Sequence, residues 1–190
     1  MATANHKNHI GTRVVIYPGI YRESITLDLR GDHTDAPLVF EAKDKGTVII
    51  SGSDVWTDWH KVAGTNIYTH PWPYKWGLSG NPWEGENVAV SPIVRRREMV
   101  FVEGTALEQV LSLNALTDRS FHIAEEQGMI YVLLPRDVNM HQAIIEVSTR
   151  EYIFAAYSVK NLVLRGLTFQ HANSPLQESA VRVVDSSHIT

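Results

Sequence analysis

Cysteine is absent from the 190 residues, so neither a disulfide framework nor a thiolate metal centre can hold this fold. No apolar run approaches the ~20 residues that span a bilayer as a helix. The opening stretch, MATANHKNHIGTRVV, lacks the apolar centre of a secretory signal. Basic excess is missing as well: the net charge is −4, which argues against a phosphate-binding surface, and neither nucleic acid nor membrane is expected as partner. The run Arg95-Arg96-Arg97 is too short to alter this and reads as a solvated edge or an ion-pairing face. A phosphate loop, a Gly-x-Ser-x-Gly elbow and a His-Glu-x-x-His pair are all lacking, so nucleotide chemistry and serine hydrolysis find no support, and no metal or cofactor is expected. With 44% hydrophobic and 20% charged residues the chain has the composition of a folded protein with a real core.

What is present is unevenly placed. Aromatic residues make up only 9% of the chain, yet all five tryptophans fall between Trp56 and Trp83. The stretch HPWPYKWGLSGNPW, His70 to Trp83, sets Trp72, Tyr74, Trp76 and Trp83 among prolines and glycines and reads as loop. Two readings follow. A platform of rings stacks on the flat apolar faces of sugars while Asn81, Glu84 and Glu86 meet their hydroxyls. Alternatively, the rings form a hydrophobic anchor, because tryptophan buries a large area and needs only one N–H partner. Trp56 and Trp59 fit the anchor. Trp76 and Trp83, with glycines nearby, fit ligand contact, and Trp72 and Tyr74 complete the candidate substrate-binding set.

The rest is β-rich. RVVIY (Arg13–Tyr17), SITLDL (Ser24–Leu29), PLVFEA (Pro37–Ala42) and GTVIISG (Gly46–Gly52) are short strand-like runs parted by Pro18-Gly19, Gly31-Asp32, and Asp44 with Gly46. GTRVVIYPG and GTVIISGSD look like one element met twice, with Gly11-Thr12 recurring as Gly46-Thr47. A β-sandwich also yields short strands at such spacing. The recurrence favours a solenoid whose coils stack in parallel and bury Val15, Ile25, Val39 and Ile49 inward. From about Thr57 the rhythm changes, and EMVFVEG, ALEQVLS, SFHIAEE, GMIYVLLP and AIIEVSTR suit a small antiparallel sheet or sandwich, with a hairpin at Glu125–Gly128 whose glycine takes positive φ. After Arg150 the first rhythm returns in NLVLRGLTFQHANSPLQESAVRVVDSSHIT, where the coil begun at Leu162 starts again at Ile189. The expected fold class is therefore all-β, a parallel solenoid interrupted by an antiparallel β-rich insertion. First coils occupy 1–56, the aromatic loop and inserted subdomain 57–150, and resumed coils 151–190. DSSHIT is no cap, so the chain reads as the N-terminal piece of a longer protein, with self-association expected through the open solenoid end.

GTRVVIYPGIYRESITL and GTVIISGSDVWTDW resemble the opening coils of right-handed parallel β-helix proteins of the pectate-lyase-like superfamily. RRREMVFVEGTALEQVLS through SFHIAEEQGMIYVLLP, followed by NLVLRGLTFQHA, is similar to bacterial β-helix-repeat proteins interrupted early by a small β-rich domain, and to certain β-xylosidases with a β-sandwich inserted in a β-helix. The resemblance spans about His9 to Thr190. It implies a carbohydrate-active parent acting on polysaccharide or oligosaccharide, a glycoside hydrolase first and a polysaccharide lyase second, secreted, periplasmic or on the cell surface. A non-catalytic carbohydrate-binding or tailspike-like adhesion module is the alternative. One superfamily hosts many reactions, so the fold alone does not name the chemistry. It also implies that catalytic groups lie on later coils.

Glycoside hydrolysis needs two carboxyl groups roughly 5–9.5 Å apart across the scissile bond. Glu178 and Asp185 near the end, and Glu23, Glu41 and Asp54 in the first strands, are the carboxylates to consider. Asp185, where VRVVD yields to a turn, has the right kind of position, although Asp-Ser-Ser there also reads as an Asx turn. Glu23 beside Arg22 reads as a structural pair. A lyase would want a base, for which His171 in FQHAN is the candidate, set against an ordinary turn histidine. The catalytic candidates are thus Asp185, Glu178 and His171, and the reaction itself stays open.

Overall fold

The computed structural model describes residues 4–5, 8–31, 35–136, 138–140 and 142–190. Asp32 of the Gly31-Asp32 turn signal lies outside the described residues. The chain is all-β, its helical pieces being short, and it divides into two units. One comprises residues 1–52, 149–174 and 179–190; the other comprises 53–148 and 175–178.

The first unit opens with β1 (Thr12–Ile16), β2 (Gly19–Tyr21), β3 (Ile25–Asp28), β4 (Leu38–Ala42) and β5 (Val48–Ser51). The second contains β6 (Ser53–Val55), β7 (His60–Lys61), β8 (Ile67–Pro71), β9 (Val100–Val102), β10 (Thr105–Ala106), β11 (Glu108–Val110), β12 (Ser120–Ala124), β13 (Met129–Leu133) and β14 (Ile145–Ser148). The chain then returns to the first unit with β15 (Phe154–Tyr157), β16 (Lys160–Arg165), β17 (Leu167–Gln170), β18 (Val181–Val184) and β19 (Ser187–Ile189).

Among the described residues of the first unit every strand pairing is parallel. Three sheets result, ordered β1-β4-β16-β19, β2-β5-β17 and β3-β15-β18. The chain visits them in constant rotation. Thr12 faces Leu38 across one circuit, and Leu162 faces Ile189 across another, as the recurrence of Leu162 at Ile189 led one to expect. The Gly-Thr repeat marks something else: GTRVVIYPG forms β1, whereas GTVIISG forms β5 in a different sheet, so the displacement from Thr12 to Thr47 is not a step between stacked equivalents.

The pleat also runs in the opposite phase for three of the four expected core residues. Val14, Ile16, Leu38, Phe40, Val48 and Ile50 face the interior, while Val15 is 39% exposed and Val39 and Ile49 lie on the outer side of their strands. Only Ile25 packs inward as expected. Leu27, Leu29, Leu38, Phe154 and Leu162 are at most 4% exposed, each contributing about 1.5–3 kcal/mol by leaving water.

The second unit holds two sheets, β10-β9-β14-β6 and β11-β12-β13-β8-β7. Among the described residues its pairings are antiparallel except β11 with β12. Val100, Val102, Ile145 and Val147 from one sheet and Phe121, Ile123, Ile130 and Val132 from the other share one core. The β12–β13 hairpin turns through Glu125–Gln127 and ends on Gly128 at φ 63°, the positive φ expected there.

Candidate functional site

The aromatic stretch leaves a strand and runs on as loop, as its prolines and glycines led one to expect. Ile67–Pro71 is a strand paired with β13, and Trp72 N–H continues the pairing by donating to Gly128 O at 2.7 Å. Successive side chains of an extended chain point to opposite sides. Tyr68, His70, Trp72, Tyr74 and Trp76 stand at every second position, and Pro71, Pro73 and Lys75 are exposed between them. Proline at 73 has no N–H to donate, and the regular ladder ends there.

These alternating rings gather into one cluster. Trp56 lies 4.6 Å from His70 and 5.7 Å from Trp72, centre to centre. Trp72 meets Tyr74 at 5.1 Å and Trp76 at 5.3 Å, both edge to face, while Tyr74 and Trp76 stack at 4.4 Å with 14° between their planes. Each such pair contributes about 0.5–1.5 kcal/mol beyond area burial. Trp72 is only 3% exposed, whereas Tyr74 and Trp76 are half-buried. Trp59 is buried and donates its indole N–H to Trp56 O at 3.1 Å. Trp83 is half-buried and makes no ring contact among the described residues. Its neighbour Asn81 is engaged within the loop, accepting from Trp83 N–H at 3.1 Å and donating to Val88 O at 2.8 Å, which fixes the orientation of its amide and leaves one N–H and one lone pair unused by these two bonds. Glu84 and Glu86 are exposed.

A charged brace holds the far end of the cluster. Glu125 accepts the Gly77 N–H on both carboxylate oxygens, at 3.0 and 3.1 Å, and pairs with Arg96 at 3.5 Å. Arg96 also pairs with Glu98, whose side chain is fully buried and accepts from Gln109 Nε2 and the Arg97 N–H as well. Arg97 sets its guanidinium 4.9 Å from the Trp76 ring centre. Within the arginine run Arg96 ion-pairs, one of the two readings its sequence allowed, while Arg95 donates to Ser79 O at 2.7 Å and Arg97 lies over Trp76. Arg96, His122, Glu125, Glu126 and Gln127 line a cleft of about 390 Å³, and a smaller pocket of about 170 Å³ lies against Trp56, Asp58, Trp59 and Ile144. Sequence reasoning offered ion pairing for the arginine run but missed Glu98 and Glu125 as its partners; Glu98 was within local reach, two residues on, whereas Glu125 meets Gly77 and Arg96 across distant segments.

The catalytic candidates line neither of these clefts. His171 follows β17 in a left-handed conformation at φ 61°, and Glu178 is exposed in a turn closed by its N–H on Pro175 O. Asp185 follows β18 at φ 50°, exposed, with no side-chain partner among the described residues. The turn there is closed by Ser186, whose hydroxyl donates to Val184 O and accepts the Val159 N–H, rather than by an Asx bond from Asp185. Among the described residues no group of three or more His, Asp or Glu is placed to hold a metal ion.

No protein-family model matches the sequence, and a search of curated proteins returns no match. Among solved structures the fold is similar to that of "The complex structure of XylC with xylose", with a TM-score of 0.67 and 15% identity over 93% of this chain. It is also similar to a structure titled "Glycoside hydrolase", with a TM-score of 0.55 and 9% identity over 90% of this chain. The chain spans 35% and 46% of the lengths of those two proteins. At such identities the likeness is one of fold.

Proposed function

We propose that the chain forms a right-handed parallel β-helix interrupted by a β-rich insertion, and that it serves a carbohydrate-active protein of the glycoside-hydrolase type. The observation that carries this reading is the constant rotation of the chain through three parallel sheets, broken between β5 and β15, together with the fold likeness to a protein solved with xylose. Polysaccharide or oligosaccharide is the ligand class. The contact surface is assigned to Trp76 and Trp83, with Tyr74 stacked behind Trp76 and the buried Trp72 as support rather than contact. Asp185, exposed where β18 gives way to a turn, is the carboxylate assigned to acid–base work, and hydrolysis would require a second carboxyl group across the bond.

Calorimetric titration with linear xylo-oligosaccharides tests the reading. Trp83→Ala is expected to weaken binding about tenfold with the melting temperature unchanged, and Trp76→Ala to weaken it similarly with a modest fall in melting temperature. Unchanged binding in both variants, with stability lost in Trp76→Ala, would assign the rings to anchoring alone.

A further inference from the structure

The outer face of the first unit carries a cationic cleft that the aromatic site does not involve. Arg13, Glu41, Lys43, Lys45, Arg165 and Gly166 line a recess of about 460 Å³. It brings four cations against one carboxylate on a chain whose net charge is −4. The arrangement follows from the parallel register. Val15, Glu41 and Arg165 stand abreast on β1, β4 and β16, and Arg13 lies two residues along the same face of β1.

Glu41 organises the cluster. Its side chain is 10% exposed, receives Arg13 Nε at 2.9 Å and the Arg13 terminal nitrogen, and has Arg165 at 3.5 Å on its other oxygen. The carboxylate fixes both guanidinium groups but neutralises only one charge. The arginine side chains are 67% and 71% exposed, which leaves their outward N–H donors open to a ligand. Lys43 and Lys45 have no side-chain hydrogen bond or ion pair among the described residues.

Both lysines sit on a braced turn. Lys43 N–H donates to Ile16 O at 2.7 Å, Gly46 N–H to Gly166 O at 3.2 Å, and the Thr47 hydroxyl to Asp44 O at 2.7 Å. Gly166 is at φ +69°, a conformation that glycine adopts without strain, and it accepts the Gly46 N–H that ties the lysine turn to the floor of the recess. Arginine pairs carboxylates and sulfates through a planar fork, and lysine adds point charge.

We propose that this recess binds the anionic substituent of an acidic oligosaccharide, a uronate carboxylate or a sulfate ester, in addition to the aromatic glycan surface. The sugar part of the assignment rests on the reading under Proposed function; the anion part rests on the recess. The experiment titrates the chain with a glucuronate-substituted xylo-oligosaccharide, its carboxyl-reduced neutral counterpart, a sulfated one of equal length, and single-stranded DNA of matched charge. The acidic sugars are expected to bind about five- to tenfold tighter than the neutral one, with the preference shrinking at high salt. The tighter of the two names the anion.

The double variant Lys43→Ala, Lys45→Ala should remove the preference while leaving the melting temperature and neutral-sugar binding in place. Arg165→Gln should reduce it by a smaller factor. Equal affinity for charged and neutral sugars, or a preference that survives the double variant, overturns the inference and leaves the glycan reading standing. Binding of the acidic sugars without the neutral one upholds the recess and counts against the aromatic surface. DNA binding as tight as the acidic sugars, or no binding of any sugar, overturns the assignment to an acidic glycan.

Discussion

Replacing Gly52 with alanine should destabilise the first unit, although Gly52 carries no side chain and no positive φ marks it in the structure. A Cβ built there would stand 2.6 Å from His171 O, 2.8 Å from Ala172 Cα and 3.0 Å from Ala172 N. All three are backbone atoms, so no flexible side chain can swing away. The Gly52 peptide is also tied on both sides: its N–H donates to Gln170 O at 2.9 Å, and its carbonyl accepts from Thr149 and Arg150 at 2.9 and 3.1 Å. Relief of the overlap must therefore strain hydrogen bonds where three segments meet. Overpacking of this kind costs about 1–3 kcal/mol, and rigid neighbours place Gly52→Ala near the upper end. Alanine restricts the unfolded chain and returns about 0.4–1 kcal/mol, leaving a net loss of roughly 2 kcal/mol. For a chain of this size that lowers the melting temperature by roughly 4–8 °C, read by circular dichroism alongside the urea midpoint. Gly80 is the control, since a Cβ there meets nothing within 4 Å and no positive φ is required. Gly80→Ala should be neutral or slightly stabilising. If Gly52→Ala melts with or above the parent protein, the close approach of the 171–172 backbone to Gly52 is wrong.

Glu98→Ala leaves Arg96, which is only 12% exposed, with Glu125 at 3.5 Å as its remaining carboxylate and removes the acceptor of Gln109 and the Arg97 N–H, so it should cost about 1–3 kcal/mol in urea unfolding; a loss under about 0.5 kcal/mol would mean that Glu98 is not the buried centre of that brace. Glu41 supplies a pH dependence. The hydrogen bond from Arg13 holds its carboxyl below the ordinary glutamate range against the opposing effect of burial, with the charges of Arg13 and Arg165 acting in the same direction as the bond. A depressed folded pKa means the unfolded chain takes up the proton first as pH falls, so this contribution is complete at neutral pH and disappears on acidification through the folded value. Glu41→Gln should thus be less stable than the parent at neutral pH, with the gap closing as pH is lowered below the usual glutamate range. A gap that stays constant or widens in acid contradicts the assignment.

How far the sequence could be read depended on whether a feature was local. The strands near Arg13–Tyr17, Ser24–Leu29, Pro37–Ala42 and Ser120–Glu126 were legible because β-branched and aromatic runs are bounded by glycine, proline and aspartate. The hairpin at Glu125–Gly128 was legible for the same reason, its φ > 0 position being filled by glycine. Phase was not legible. VVIY offers apolar residues to both faces, and a period of two says that faces alternate without saying which one is inside. Val15, Val39 and Ile49 were placed inward on that ambiguity. The aromatic stretch was legible as loop from its prolines and glycines, and beyond Pro71 it holds no strand; what its loop reading hid is the alternation of Tyr68, His70, Trp72, Tyr74 and Trp76, which gathers their rings on one side.

The Glu125 side of the brace and the cationic recess lay beyond any local reading. Glu125 meets Gly77 from 48 residues away, and Arg13 meets Glu41 from 28. In the first unit, though, such distances obey a rule. Once Thr12 is known to face Leu38 and Leu38 to face Leu162, the neighbours of every outward residue on those strands are determined, and Glu41 must lie between Val15 and Arg165. A wrong repeat, such as the one that equates Gly11-Thr12 with Gly46-Thr47, puts β1 beside β5 and disperses the cations. The correct step, which carries Thr12 to Leu38, gathers them. The recess is thus a consequence of register: a shift of β4 by one residue against β1 and β16 would turn Glu41 to the inner face and part it from Arg13 and Arg165, even with every charged side chain retained.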